Sequence, residues 1–427
     1  MLPSLDHLRT YLARWIDRLR TGFWFVPSLM LFLAAGLALL LLRLDNWADP
    51  GIKSSITWAY SGGPQGARAL LSTIAGSMIT AASVTFSLAA VALSIASQQY
   101  GSRVLRNFMR DRITQVLLGT FVSTFIYCVL VVRSIRGSEY SGFVPAISIT
   151  VAISLALVSL VMLIYFIHHI STSIQASHIV SVIATSIQKA IPELYPAEAG
   201  QQAPSAPATH DFRSGTQTPV QTSTSGYLQS VDLKSLLNTA THHQLVVEIL
   251  PMPGAHLLQG DALAHLWSAQ PLNDTSRKQR IDDVCESFAL GSERTPEQDI
   301  RFPFQQLTDV IVRALSPGIN DPFTAINGID ELTTGIALLA RTARVQEYRR
   351  DRTGALRVIA PRPHCIDILN ETVGHIAVYA AADPFVMDRL RRVIDAAQNH
   401  LNSVAEQEQL QRLRSDVNRR QKNAAQP

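Results

Sequence analysis

The sequence predicts an α-helical integral membrane domain with four transmembrane helices, followed by a cytosolic α+β domain that holds a small β-barrel-like unit and a helical part. Three observations carry this. Four uncharged apolar stretches lie within the first 175 residues, the composition turns to Pro, Ser, Thr and Gln near residue 192, and beyond it short β-rich runs precede amphipathic helices. A chain of 427 residues that is 47% hydrophobic is too apolar for a wholly soluble protein of this size.

Residues 1–22 form an N-terminal segment with Arg9, Arg14, Arg18 and Arg20. The membrane domain covers 23–175, with spans expected at about 23–42, 70–97, 113–132 and 145–167, each free of Asp, Glu, Lys and Arg. Crossing a hydrocarbon core of roughly 30 Å takes about 20 such residues. Arg43 follows the first stretch where a signal cleavage site would stand, so a retained anchor is expected. Arginine is concentrated in the N-terminal segment and in the second connection, which predicts that both termini face the cytosol.

In the second span Thr73, Gly76, Thr80, Ser83, Ser87, Ala90, Ser94 and Ser97 recur at alternating steps of three and four, a continuous stripe of small and hydroxyl side chains. Such a stripe either lets helix backbones pack closely or lines a hydrated path. Both readings stand, packing being the more economical because no charge lies inside the spans. In the second connection Arg103, Arg106 and Arg110 share one helical face, suited to anionic phospholipid headgroups at the bilayer surface. After the fourth span, residues 176–191 continue as an amphipathic extension with Ile179, Val180, Ile183 and Ile187 on one side. That face needs cover, from the chain's own soluble part or from further copies, and a homo-oligomer is preferred. His168, His169 and His178 do not share a face, so no metal site is expected.

Residues 192–226 read as a flexible linker. Residues 227–270 then offer two β-rich arms about the turn at Pro251-Met-Pro-Gly254, a pattern that looks like the barrel-sandwich folds of biotinyl and lipoyl carriers. No lysine occupies that turn, so no cofactor is expected. Residues 271–414 read as helical, with helices at Arg280 to Gly291, Asp299 to Leu315 and Pro322 to Arg341, and 415–427 as a disordered tail. In Ser316-Pro-Gly-Ile-Asn-Asp-Pro322, Pro317-Gly318 makes a turn, Asn320 or Asp321 caps the next helix and Pro322 takes its first position. Asp309, Arg313, Ser316, Asn320 and Asp321 cluster there, either as a local ion pair and turn or as a polar recess for a ligand. Nucleic acid is not an expected partner, since the formal charge of +4 is not gathered into a basic domain. Cys128, Cys285 and Cys365 have no paired spacing, and no catalytic set is visible.

The stretches Gly66-Ala-Arg-Ala-Leu-Leu-Ser-Thr-Ile-Ala-Gly-Ser-Met78, Leu105-Arg-Asn-Phe-Met-Arg-Asp-Arg112, Tyr165-Phe-Ile-His-His-Ile170 and Arg313-Ala-Leu-Ser-Pro-Gly-Ile-Asn-Asp-Pro-Phe-Thr-Ala325 resemble the bacterial predicted membrane proteins of domain-of-unknown-function family 2254. The resemblance spans nearly the whole chain and implies an inner-membrane location with this domain order. It implies no substrate, reaction or catalytic residue. Two readings of function follow: a homo-oligomeric channel or passive transport protein with a cytosolic regulatory domain, or a membrane-anchored scaffold or sensor that docks a partner through the Ser316–Asp321 hairpin. An enzyme acting at the polar cluster is the weakest reading.

Overall fold

The computed structural model describes residues 24–47, 60, 62–100, 111–138, 141–194, 213, 215–271, 273–342, 347–401 and 403–424. The chain divides into two compact units, Met1–Gln175 and Ala176–Pro427.

The first unit contains four helices long and apolar enough to cross a membrane: α1 (Phe25–Trp47), α2 (Pro64–Tyr100), α3 (Arg112–Ser134) and α4 (Ala146–Ser173). Helix α3 is the central one, packed against the other three, and a short hairpin of β1 (Arg136–Ser138) and β2 (Ser141–Phe143) joins it to α4. On the side of α2 that packs against α3 and α4 runs a seam of Leu71, Ala75, Met78, Ala82, Thr85, Ala89, Ala92 and Ala96, buried or half-buried at alternating steps of four and three. Small residues at that period let two helices approach closely in an apolar solvent.

The second unit begins with α5 (Ala176–Leu194), which is a separate helix and not a continuation of the fourth span: α4 ends at Ser173, with the Gln175 N–H turned back to the Thr172 carbonyl. Its apolar face, Ile179, Val180, Ile183, Ala184, Ile187 and Ile191, is buried against the chain's own α8 (Arg301–Ala314) and α9 (Pro322–Arg341). The cover expected from further copies is therefore supplied within the chain, and this face gives no reason to expect an oligomer. A Cβ placed on Gly335 of α9 would meet both Ile187 and Phe304, so the three helices touch at one level.

The strands depart furthest from expectation. A five-stranded sheet runs β3 (Thr216–Gln221), β7 (Ala262–Ser268), β5 (Val246–Ile249), β10 (Leu356–Ile359), β9 (Tyr348–Arg350), and a three-stranded sheet runs β6 (His256–Leu257), β4 (Gly226–Val231), β8 (Phe288–Gly291). Both sheets, with α6 (Leu233–His242) and α7 (Asp274–Cys285), close over one core that includes Val220, Leu228, Val247, Leu266, Phe288 and Val358. So 227–270 is not a self-contained unit. Strand β3 belongs to the stretch read as linker, and β8, β9 and β10 to the stretch read as helical; the helix expected through Gly291 stops at Cys285. The physical reason is pairing partner: β3 and β8 are short, and β7 and β4, distant in sequence, give their backbones a ladder. Most of the remaining linker lies outside the described residues. Helices α10 (Cys365–Ala380), α11 (Pro384–Gln398) and α12 (Val404–Ala424) complete the unit. The expected disordered tail is helical to Ala424, because Leu410, Leu413 and Val417 form a seam against α10 and α11.

Candidate functional site

Two carboxylates organise the membrane unit, one toward each end of α4. Asp45, in the last turn of α1, is fully buried and accepts hydrogen bonds from the Ile147 N–H (3.1 Å), the Ser148 N–H (2.9 Å) and the Ser148 hydroxyl (2.7 Å). It caps the N-terminus of α4 from a helix about a hundred positions away, where the exposed N–H groups and the dipole favour a negative charge. The Tyr127 hydroxyl donates to the Ser148 carbonyl at 2.9 Å, and Arg68 donates to the Ile135 carbonyl at the end of α3. Toward the other end, Asp111 caps α3 through the Ile113 and Thr114 N–H groups and meets His169 Nε2 of α4 at 2.9 Å, with Tyr165 stacked on the His169 ring. Burial pushes the Asp111 carboxyl up, but the bonds from Thr114 and His169 outweigh it and hold it below its ordinary value. Ser148 and His169 are separated by a helical rise of about 32 Å, close to the roughly 30 Å thickness of a hydrocarbon core.

The stripe of α2 faces the other way from these contacts. Thr73, Gly76, Thr80, Ser83, Ser87 and Ser94 are exposed and Ser97 is half-buried, on the side of α2 opposite the seam that packs on α3. The Thr73, Thr80, Ser83 and Ser87 hydroxyls each donate to the carbonyl four residues earlier in their own helix. Those bonds satisfy the hydroxyl protons without any partner helix. Arg103, Arg106 and Arg110 lie outside the described residues.

The Ser316–Asp321 cluster is turn chemistry. Asn320 takes a left-handed conformation (φ 48°), which Asn tolerates better than most residues. Ser316 donates through Oγ to the Arg313 carbonyl and accepts at its own carbonyl from the Ile319 and Asn320 N–H groups. Asp321 caps α9, accepting from the Thr324 N–H (3.0 Å) and hydroxyl (2.6 Å), and these bonds hold its carboxyl below the ordinary range. Asp309 and Arg313 each have a partner. Outward the turn leaves Pro317, Gly318, Ile319, Asn320 and Phe323.

Arg294 and Asp299, which the sequence offers among the polar residues near the hairpin without pairing them, form a buried ion pair. Asp299 is 2% exposed and is gripped by Arg294, which also donates to Gln305 and stacks on Phe302. Burial raises the Asp299 carboxyl, with Arg294 and the Arg301 and Phe302 N–H groups pulling it back only in part. Gly254 of the Pro-Gly turn lies against this carboxylate, with φ 92° and no room for a Cβ. Around the pair, Pro251, Met252, Pro253, Ile300, Arg301 and Arg362 wall a small recess. Among the described residues no group of three or more His, Cys, Asp or Glu side chains is gathered to hold a metal.

The family model described as "Predicted membrane protein (DUF2254)" matches residues 20–396. An uncharacterized protein of Mycobacterium bovis and two of Mycobacterium tuberculosis are each 30% identical over 390 residues, which is 90% of this chain and 73% of theirs. No solved structure matches.

Proposed function

We propose, from the premise that the chain belongs to the DUF2254 family of predicted membrane proteins, that it is a homo-oligomeric channel or passive transport protein of the bacterial inner membrane. Both termini are on the cytosolic side, and the C-terminal unit regulates the path. The observation that carries this reading is the orientation of α2. Its alanine seam is buried within the unit, while six of the seven hydroxyl and glycine positions of the stripe are exposed. A helix side with glycine and short hydroxyl side chains suits close helix contact or a hydrated wall better than it suits lipid tails. A ring of copies meeting along this stripe uses it for both. Arg103, Arg106 and Arg110 are assigned to anionic headgroups at the inner surface.

Single cysteines at Ser83 and Ser87, oxidised in native membranes, test the contact: disulfide-linked dimers are expected, and no cross-link together with a monomeric particle overturns it. Liposomes carrying the protein are expected to leak small ions, less so with Ser83→Leu; tight liposomes across several ions and osmolytes overturn the path.

A further inference from the structure

The C-terminal unit carries two copies of one local device. Asp321-Pro-Phe323 opens α9 and Asp383-Pro-Phe385 opens α11, with the aspartate capping, the proline at the first position and the phenylalanine next. Both rings point outward, 79% and 76% exposed. Helices α9 and α11 run parallel: Arg389 meets Asp330 at 3.5 Å and His400 meets Arg341 at 3.2 Å, an advance of eleven residues in the same direction on each. The two caps are thus at one end of the unit, with Ile319 of the preceding turn, 45% exposed, beside them.

That end is fixed relative to α5. Ile187 is level with Gly335 and Phe304, while Leu194 shares the recess wall with Ile300 and Arg301, so α5 runs antiparallel to α8 and parallel to α9. Counting back eleven residues from Ile187 and from Gly335 puts Ala176 level with Thr324. Ala176 is three residues beyond Ser173, the last residue of the fourth apolar helix, a chain reach of about 11 Å at most. The exposed phenylalanines are therefore on the end of the unit that the chain tethers to the membrane.

We infer that Ile319, Phe323 and Phe385 form an apolar foot that inserts into the bilayer interface. The occupant is lipid, because the short connection from the fourth apolar helix enters the unit at this end. Phenylalanine and aliphatic side chains gathered on one side of a surface element bury into the boundary between headgroups and acyl chains. Insertion is by apolar contact: Asp321 and Asp383 are occupied as caps, and Asp388, one turn on from Phe385, is paired with Arg392. This inference does not depend on an oligomer or a path.

The test uses the full chain in phosphatidylcholine vesicles, with Cys128, Cys285 and Cys365 replaced by alanine and an environment-sensitive fluorophore on Phe323→Cys, Phe385→Cys or Ile319→Cys. Val404→Cys is the control, equally exposed at 77% but beside His400, at the opposite end of α11. Quenching by brominated acyl chains is expected to be several-fold stronger at 323 and 385 than at 404, with no requirement for anionic lipid. Equal quenching at all sites overturns the inference. So does shielding from aqueous quenchers without lipid quenching, which means that protein covers the foot, and so does quenching that appears only with anionic lipid. Because the three positions are exposed, the labels leave the core intact.

Discussion

The two units differ in how far their polar caps reach. In the C-terminal unit Asp232, Asp321 and Asp383 each cap the helix that they begin, through N–H groups two or three residues on. In the membrane unit Asp45 caps a helix that begins a hundred residues later, Arg68 serves the end of α3, and Asp111 spans from its own helix to His169 of another. Where water reaches a helix end, a local cap is a modest convenience. Where lipid surrounds it, every free N–H must be met, and a group brought from elsewhere both satisfies it and fixes which helices are neighbours. Polar groups in the membrane unit thus specify topology, and those in the C-terminal unit trim stability.

The largest effect is expected at Asp45. Asp45→Ala strands two N–H groups and a hydroxyl in a buried site, costing on the order of 4 kcal/mol. Protease resistance and thermal unfolding in detergent would record it as loosening of α4. Asp45→Asn, which keeps an acceptor, is expected to recover about half. If Asp45→Ala proves no worse than a local cap, the contrast between the units fails.

Asp299→Ala is the strongest counterpart in the second unit, at about 3 kcal/mol, because it leaves the Arg294 guanidinium beside Phe302 without its charge partner. Gly254→Ala strikes the same place from outside, through a strained φ and a Cβ that collides with the Asp299 carboxylate. Both are expected to lower the unfolding temperature of the C-terminal unit and to leave the membrane unit unchanged.

A local cap is worth less. Asp321→Ala is expected to cost about 1 kcal/mol. Its folded carboxyl is held below the unfolded value of 3.8, so its contribution is full above that value and is lost as pH falls through the folded one. Asp321→Asn keeps a cap and should remove this part of the acid sensitivity, as unfolding midpoints between neutral pH and about pH 3 would show. Asp299 has the opposite sign: with its carboxyl raised, the folded form takes up a proton more readily than the unfolded chain, and acidification does not weaken the fold through it.

What could be read in the sequence follows the same division. The four apolar helices were legible because length and the lack of charge suffice, and the Asp321 cap because its chemistry is contained in four residues. Asp45 was not: Arg43 and Asp45 mark the end of an apolar stretch, and only the fold reveals that α1 continues to Trp47 with that carboxylate turned inward. The alanine seam of α2 has the heptad period in plain view, but hydroxyls attract attention and alanines do not. Strands β3, β8 and β10 needed partners that no local pattern names. The repeated Asp-Pro-Phe was visible throughout, and its meaning depends on α9 and α11 starting at the same end.

The smallest effect distinguishes the outer stripe from everything buried. Ser83 is exposed and donates to the Ile79 carbonyl of its own helix, so in a lone protomer Ser83→Ala is expected to change stability by less than about 0.5 kcal/mol. The comparison is sharpest when that value is measured twice, at dilution in detergent and in membranes. A cost that stays small in both means that the stripe faces lipid. A cost that appears only in membranes, together with loss of the cross-link at Ser87, means that copies of the chain complete there the packing that Asp45 and Asp111 complete within one.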